Sequence, residues 1–182
     1  MLRSVQLDAS LSQGKREVIS GVRYESATRV YLQSKSRFWV SQRLNGFVTT
    51  DLPIGYILDF TKGQPGTRGI LATECLGAEA RRAAAMTPDQ RLRWGLENTS
   101  KVFPEMTAAF EQGRTICWDQ EPWSLGAYAY YGPGEMTRMF PHAATQEGRI
   151  HFAGEHTAPV YVMEGAAQSG ARCVREINSS IA

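Results

Sequence analysis

Apolar positions fall in short bursts through most of the chain and settle into a helical stripe only near its end. Residues 12–22 (SQGKREVISGV) open on Ser12, whose side chain suits the first free amides of a helix, and predict a short one. Residues 28–33 (TRVYLQ) mix β-branched and aromatic side chains as a strand does. Between 46 and 73 the runs GFVTT, YILDF and RGILAT are separated by Asp51-Leu52-Pro53 and by Lys62-Gly63-Gln64-Pro65-Gly66. These separators are turn formers, so an antiparallel meander of three strands is predicted. Residues 78–85 and 88–101 read as helices, the second with Thr87 as cap, Pro88 at its first position and Leu92, Leu96 and Thr99 along one face. Phe103-Pro104 ends that helix and begins another short one, and residues 114–118 resemble a strand. Residues 123–134 (WSLGAYAYYGPG) are too glycine-rich for a regular helix. A strand at 149–153 (RIHFA), a turn at 154–159 and a helix at 160–177 complete the pattern. In that helix Val160, Met163, Ala167, Ala171, Val174 and Ile177 recur at threes and fours, and the small residues Gly165, Ala166 and Gly170 permit close approach by a backbone or a flat ligand.

Of the 182 residues 42% are hydrophobic and 21% charged, which excludes a disordered, collagenous or fibrous chain. Twenty Lys and Arg against 18 Asp and Glu leave a net charge of +2, and the basic residues collect nowhere, so no nucleic-acid partner is expected. The longest uncharged stretch, 122–134, falls short of the ~20 apolar residues of a membrane span, and the N-terminus lacks an apolar signal core. A soluble, cytoplasmic protein without membrane contact is the expectation. Cys75, Cys117 and Cys173 are odd in number and far apart, which suits a reducing compartment. His151 and His156 have no nearby cysteine and no HExxH pattern, so no metal is expected. Neither GxGxxG nor GxxxxGK[ST] occurs, and a dinucleotide pyrophosphate has no usual cradle in this chain alone.

The segment Gly154-Glu155-His156-Thr157, set between the predicted strand and helix, places free backbone amides and a positive helix end beside a glycine turn. By itself this is either an anion site or an ordinary connection capped by Thr157. GRIHFAGEHT followed by VMEGAAQSGARCVREI resembles the C-terminal signature of the flavin-containing amine oxidases, the family of monoamine, polyamine and L-amino-acid oxidases. Residues 118–134 (WDQEPWSLGAYAYYGPG) resemble that family's segment beside the flavin, and 29–39 (RVYLQSKSRFW) its first substrate-domain strand, so the likeness covers almost the whole chain.

The resemblance implies FAD bound by Gly154, Glu155, Thr157, Tyr161, Val162, Met163, Glu164, Gly165 and Ala166. Met163 would offer a main-chain amide to the pyrimidine side of the flavin, where reduction places negative charge, and Glu155 would meet the ribityl region. Tyr128 takes the position of the aromatic wall over the flavin and, with Val162, the substrate side; Val162 replaces the second cage aromatic of monoamine oxidases. Trp123 and Tyr130 fit either the site or a core. Ala127 stands where covalently flavinylated members carry cysteine, which implies noncovalent FAD. Arg29 stands where the family usually has a lysine holding water near flavin N5. It keeps the charge without the compact ammonium, so it suits a water, a substrate carboxylate or a surface role. Arg29 and Tyr128 are thus the implied catalytic residues, and an amino-acid substrate is favoured over a neutral amine.

The implied fold is α+β, with a mixed-sheet substrate domain over 1–148 and the C-terminal strand-helix element of an FAD-binding domain over 149–182. The family's GxGxxG half is missing from it; a subunit or processed piece that joins a second chain, a truncated reading frame and a domain reused for binding without catalysis are the alternatives, and the opening Met1 suits the first. The implied partners are a small-molecule amine or amino acid and a second chain or N-terminal half with the GxGxxG fold. The implied reaction gives imine or keto acid, ammonia and hydrogen peroxide; a noncatalytic interaction domain of the same fold is the alternative. Without that other half the chain is expected to bind FAD weakly and to expose an apolar helix face.

Overall fold

The computed structural model describes residues 2–7, 10–160 and 162–181 and divides into two compact units, Met1–Glu25 with Ala127–Ala182, and Ser26–Gly126. The boundary expected near Gly148 falls inside the first unit. That unit is discontinuous because its two-stranded sheet pairs residues far apart in sequence.

The first unit opens with α1 (Gln13–Gly21), capped as expected: the Ser12 hydroxyl accepts from the Lys15 amide at 3.2 Å. Glu147 in turn accepts from the Ser12 hydroxyl at 2.5 Å and its amide at 3.1 Å. β1 (Arg23–Tyr24) follows, and the chain then builds the second unit.

There β2 (Ala27–Ser34), α2 (Phe38–Ser41), β3 (Val48–Thr49), β4 (Tyr56–Asp59), β5 (Gly69–Leu76), α3 (Gly77–Ala84), α4 (Pro88–Val102), α5 (Met106–Ala109) and β6 (Phe110–Cys117) form an α+β layer pair. The sheet order is β3-β4-β5-β2-β6, its ladders all antiparallel. An isolated bridge, Gly55 to Glu74, is the parallel pairing among the described residues. The meander predicted between 46 and 73 is β3, β4 and β5. Alternation along β2 puts Val30 and Leu32 in the core with Trp39, Ile57, Leu71 and Met106, and leaves Arg29 and Tyr31 on the opposite, half-open face. α4 carries the expected cap: Thr87 and Gln90 form a reciprocal capping box ahead of Pro88. At Gly95 a Cβ would meet the Val30 side chain at 2.7 Å, so only glycine lets α4 lie this close to β2.

The chain re-enters the first unit as β7 (Ala129–Tyr130), antiparallel to β1, then α6 (Glu135–Ala143) and α7 (Met163–Ile181). Val18 and Val22 pack with Ala129, Met139 and Ala143. The strand predicted at 149–153 does not form; Glu147 and Ile150 make an isolated bridge. A strand needs a neighbouring ladder, and here side chains take the backbone instead: Arg172 Nη2 donates to the Phe152 carbonyl at 2.6 Å. The terminal helix begins at Met163, later than the predicted 160, after a single 3-10 turn over Glu155–Thr157.

α7 inverts its expected packing. Gly165, Ser169 and Cys173 are buried, whereas Met163, Ala167, Ala171, Val174 and Ile177 are exposed. At about 100° per residue these two rows lie on opposite sides of the helix, so the apolar stripe faces outward. Among the described residues no helix is long and apolar enough to cross a membrane.

Candidate functional site

Gly154 turns the chain at φ 124°, in the region that favours glycine. Its amide donates to Ser169 Oγ at 2.8 Å, and its carbonyl accepts from the Thr157 hydroxyl at 2.9 Å. Thr157 therefore closes the loop on itself and does not cap α7, where the sequence had allowed a cap. Ser169 Oγ also donates to the Ala166 carbonyl at 2.6 Å, which ties the loop to the first turns of α7.

Glu155 is held at one oxygen only. Its Oε1 accepts from the Ala129 amide of β7 at 2.9 Å, while Oε2 is buried and, among the described residues, has no hydrogen-bond partner. A buried, unpaired carboxylate oxygen costs on the order of 1–3 kcal/mol or more, so the arrangement asks for a donor from elsewhere. Beside it, the His156 carbonyl accepts from the Tyr131 hydroxyl at 3.2 Å. Burial pushes the His156 imidazole below its ordinary pKa, against the opposing pull of Glu155.

At the start of α7, Val162 is exposed and Met163 is 90% exposed. Glu164 accepts from the Gln168 side chain at 2.8 Å, and the Ala166 amide donates to the Val162 carbonyl at 3.1 Å. Gly165 is buried against backbone: a Cβ there would lie 1.9 Å from the Val160 carbonyl oxygen. Tyr161 lies outside the described residues. The helix N-terminus contributes free amides and the positive end of the helix dipole. Tyr128 is 37% exposed, and its carbonyl accepts from the Glu25 amide at 2.8 Å. Tyr130 stacks under the Arg23 guanidinium at 4.9 Å.

Arg29 belongs to the second unit. Its Nε and Nη2 both donate to Glu74 Oε1, at 3.1 and 2.6 Å, and its Cζ lies 5.7 Å from the Phe60 ring centre. Partial burial works against the guanidinium charge, but Glu74 and Tyr31 outweigh it and raise the Arg29 pKa. Sequence reasoning missed Glu74, because only strand register brings it opposite Arg29.

The first unit thus assembles Gly154, Glu155 and Thr157 with Gly165 and Ala166 around Ser169, and Glu155 with the strand next to Tyr128. The orphaned Glu155 oxygen, the glycine-only turn at Gly154 and the exposed helix start fit the ribityl and pyrimidine end of a flavin. Nothing in the sequence fits its pyrophosphate, because no GxGxxG is present. Among the described residues no cluster of His, Cys, Asp or Glu is placed to hold a metal ion.

The family model for flavin containing amine oxidoreductases matches residues 2–178. The chain is 34% identical to YobN of Bacillus subtilis (strain 168) over 97% of its own length and 38% of that protein. It is 31% identical to an L-amino-acid oxidase of Siganus canaliculatus over 96% of its length and 34% of the relative. Among solved structures, the cyclohexylamine oxidase from Brevibacterium oxydans IH-35A superposes with a TM-score of 0.86 at 25% identity, over 94% of this chain and 39% of that one. The chain therefore spans between a third and two fifths of the length of the proteins it matches.

Proposed function

The chain belongs to the flavin containing amine oxidoreductase family, and from that premise we propose that it is the substrate-side and C-terminal part of an FAD-dependent amine or L-amino-acid oxidase. In this reading residues 1–148 serve the substrate, 149–182 complete the cofactor domain, and a GxGxxG-bearing portion or partner supplies the pyrophosphate site.

The observation that carries the proposal is Glu155, pinned through Oε1 to the Ala129 amide with Oε2 buried and, among the described residues, unpaired. A ribityl hydroxyl is a donor of the kind this oxygen lacks. Gly154 admits the cofactor closely, and the amides at Met163, Glu164 and Gly165 with the α7 dipole would stabilise negative charge on the pyrimidine ring. Tyr128 and Val162 would bound the substrate, and Arg29 would hold a water or substrate carboxylate. With Ala127 in place of a cysteine, the attachment is noncovalent. Bound FAD supplies the redox chemistry, in which a primary amine, dioxygen and water give the carbonyl compound, ammonia and hydrogen peroxide.

The test is co-expression with a GxGxxG-bearing partner, followed by flavin absorbance of the copurified complex and peroxide release with amines and amino acids. A yellow, peroxide-producing complex is expected, with flavin retention lowered in Glu155→Ala. A colourless complex inert to every amine and amino acid would overturn the reading. It would favour a noncatalytic interaction domain, for which the outward apolar stripe of α7 is the supporting observation.

A further inference from the structure

Lys15 of α1 is 1% exposed, yet among the described residues no carboxylate pairs with it. Its ammonium donates to the Ala143 carbonyl at 2.9 Å and stands 3.6 Å over the Phe152 ring, two partners that suit a cation without cancelling its charge. Glu147 attracts it without reaching it, and is itself held by the hydroxyl and amide of Ser12. An ammonium taken out of water with no counter-charge is unfavourable, so the arrangement calls for an anion. There is space for one: Lys15 borders a cavity of about 220 Å³ whose lining belongs wholly to the first unit. We propose that this cavity is a binding site for a small monocarboxylate with an apolar tail, its carboxylate held by the Lys15 ammonium. The site goes beyond the oxidase reading, because neither Glu155 nor any described residue of α7 lines it.

The walls select the sign of the head and the nature of the tail. Val18 and Ile19 of α1, Val22 just beyond it and Phe152 make the lining largely apolar. Arg3, whose Nε and Nη2 donate to the Ile19 and Val22 carbonyls, adds a second positive charge. Among the described residues no aspartate or glutamate lines the cavity, so an ammonium ligand meets repulsion without compensation. A single ammonium among apolar walls suits a head with one charge; a phosphate dianion would leave oxygens without donors. A cavity of roughly 150 Å³ holds a benzene-sized molecule, so this larger one takes a carboxylate of about six carbons. Ala153 lines the same cavity and is exposed, which makes it the side from which a ligand enters.

The experiment is NMR titration of the full chain at pH 7 with hexanoate, 1-hexanol and hexylamine, followed at the backbone amides. Hexanoate is expected to shift the amides of Lys15, Val18, Ile19, Val22 and Phe152 and to bind at least about tenfold more tightly than the alcohol, with the amine weakest. Lys15→Met, which keeps an apolar chain of similar length, should weaken hexanoate at least about tenfold and leave 1-hexanol unchanged or stronger. Ala153→Phe, which fills the entrance and keeps the ammonium, should weaken hexanoate and 1-hexanol alike. The ranking of the three ligands on the parent chain decides the point even where a variant fails to fold. Hexanol or hexylamine binding as tightly as hexanoate, indifference of hexanoate to Lys15→Met, shifts confined to the start of α7, or no shifts at all would overturn the site. The titration needs no flavin, so its outcome and that of the oxidase reading are independent.

Discussion

Gly165 lies so close to Val160 that a Cβ at position 165 would sit 1.9 Å from the Val160 carbonyl oxygen. The obstacle is backbone and cannot swing aside as a side chain would. Gly165→Ala should therefore destabilise the chain by about 1–3 kcal/mol despite the better helix propensity of alanine. Gly170, on the same helix, has nothing within 4 Å of its Cβ position, and Gly170→Ala should stabilise by roughly 0.5–1 kcal/mol. Thermal melts should move in opposite directions for the two variants. Two shifts of the same sign would show that the close contact at Gly165 is not enforced in solution.

The outward stripe of α7 gives a second expectation. Val174 is 57% exposed and Ile177 39%. The double change Val174→Glu, Ile177→Lys should leave unfolding in urea within about 0.5 kcal/mol of the parent while reducing self-association in light scattering. It should also abolish copurification with the GxGxxG-bearing partner. Intact copurification would mean that the partner docks elsewhere.

What could be read from the sequence depended on whether the signal was local. Ser12, Thr87 and Pro88 mark helix starts through their own hydrogen bonding, and both caps form where they were expected. TRVYLQ likewise shows its strand through its own β-branched and aromatic side chains, and β2 spans it. RIHFA has the composition of a strand, yet a strand is a relation between segments and no ladder reaches it among the described residues. β1 and β7 are two residues each, too short for any pattern, and so the discontinuous first unit was hidden. α6 begins after a left-handed Gly134 and contains Pro141, which broke up the run the eye would follow. In α7 the apolar period was legible but its direction was not, because the burying face of Gly165, Ser169 and Cys173 is made of small residues. At the site, Gly154 and Glu155 were legible through a motif, whereas Glu74 needed the register of two strands 45 residues apart.

The cap of α4 offers a quantitative check. Thr87 Oγ1 accepts from the Gln90 amide at 3.3 Å, and the Gln90 side chain accepts from the Thr87 amide at 2.9 Å. Thr87→Ala should cost about 1 kcal/mol, and Thr87→Ser or Thr87→Asp should restore most of it. Chemical denaturation decides the point; an alanine variant as stable as the parent would show that Pro88 alone defines the helix start.

The last expectation concerns Lys15, 1% exposed on α1, whose ammonium donates to the Ala143 carbonyl at 2.9 Å and sits 3.6 Å over the Phe152 ring. It borders a cavity of about 220 Å³ that also touches His151 and His156. Burial lowers its pKa from 10.5 to about 8, against the attraction of Glu147 and with a smaller push from Arg172. Below pH 8 both folded and unfolded chains carry the proton, and the desolvation cost is present in full. Between pH 8 and 10.5 the folded chain has released the proton while the unfolded chain still holds it, so the unfolded state binds more protons and stability rises with pH. The relief is bounded by roughly 3 kcal/mol at 1.36 kcal/mol per pKa unit. Lys15→Met removes the titrating group but leaves the Ala143 carbonyl without this donor, so little net change is expected at pH 7. The informative quantity is the difference in urea unfolding free energy between parent and Lys15→Met from pH 7 to 10.5, in which every other titrating group cancels. The parent should gain on the variant across that window. Parallel curves would mean that Lys15 titrates normally and that its ammonium reaches water in the folded chain.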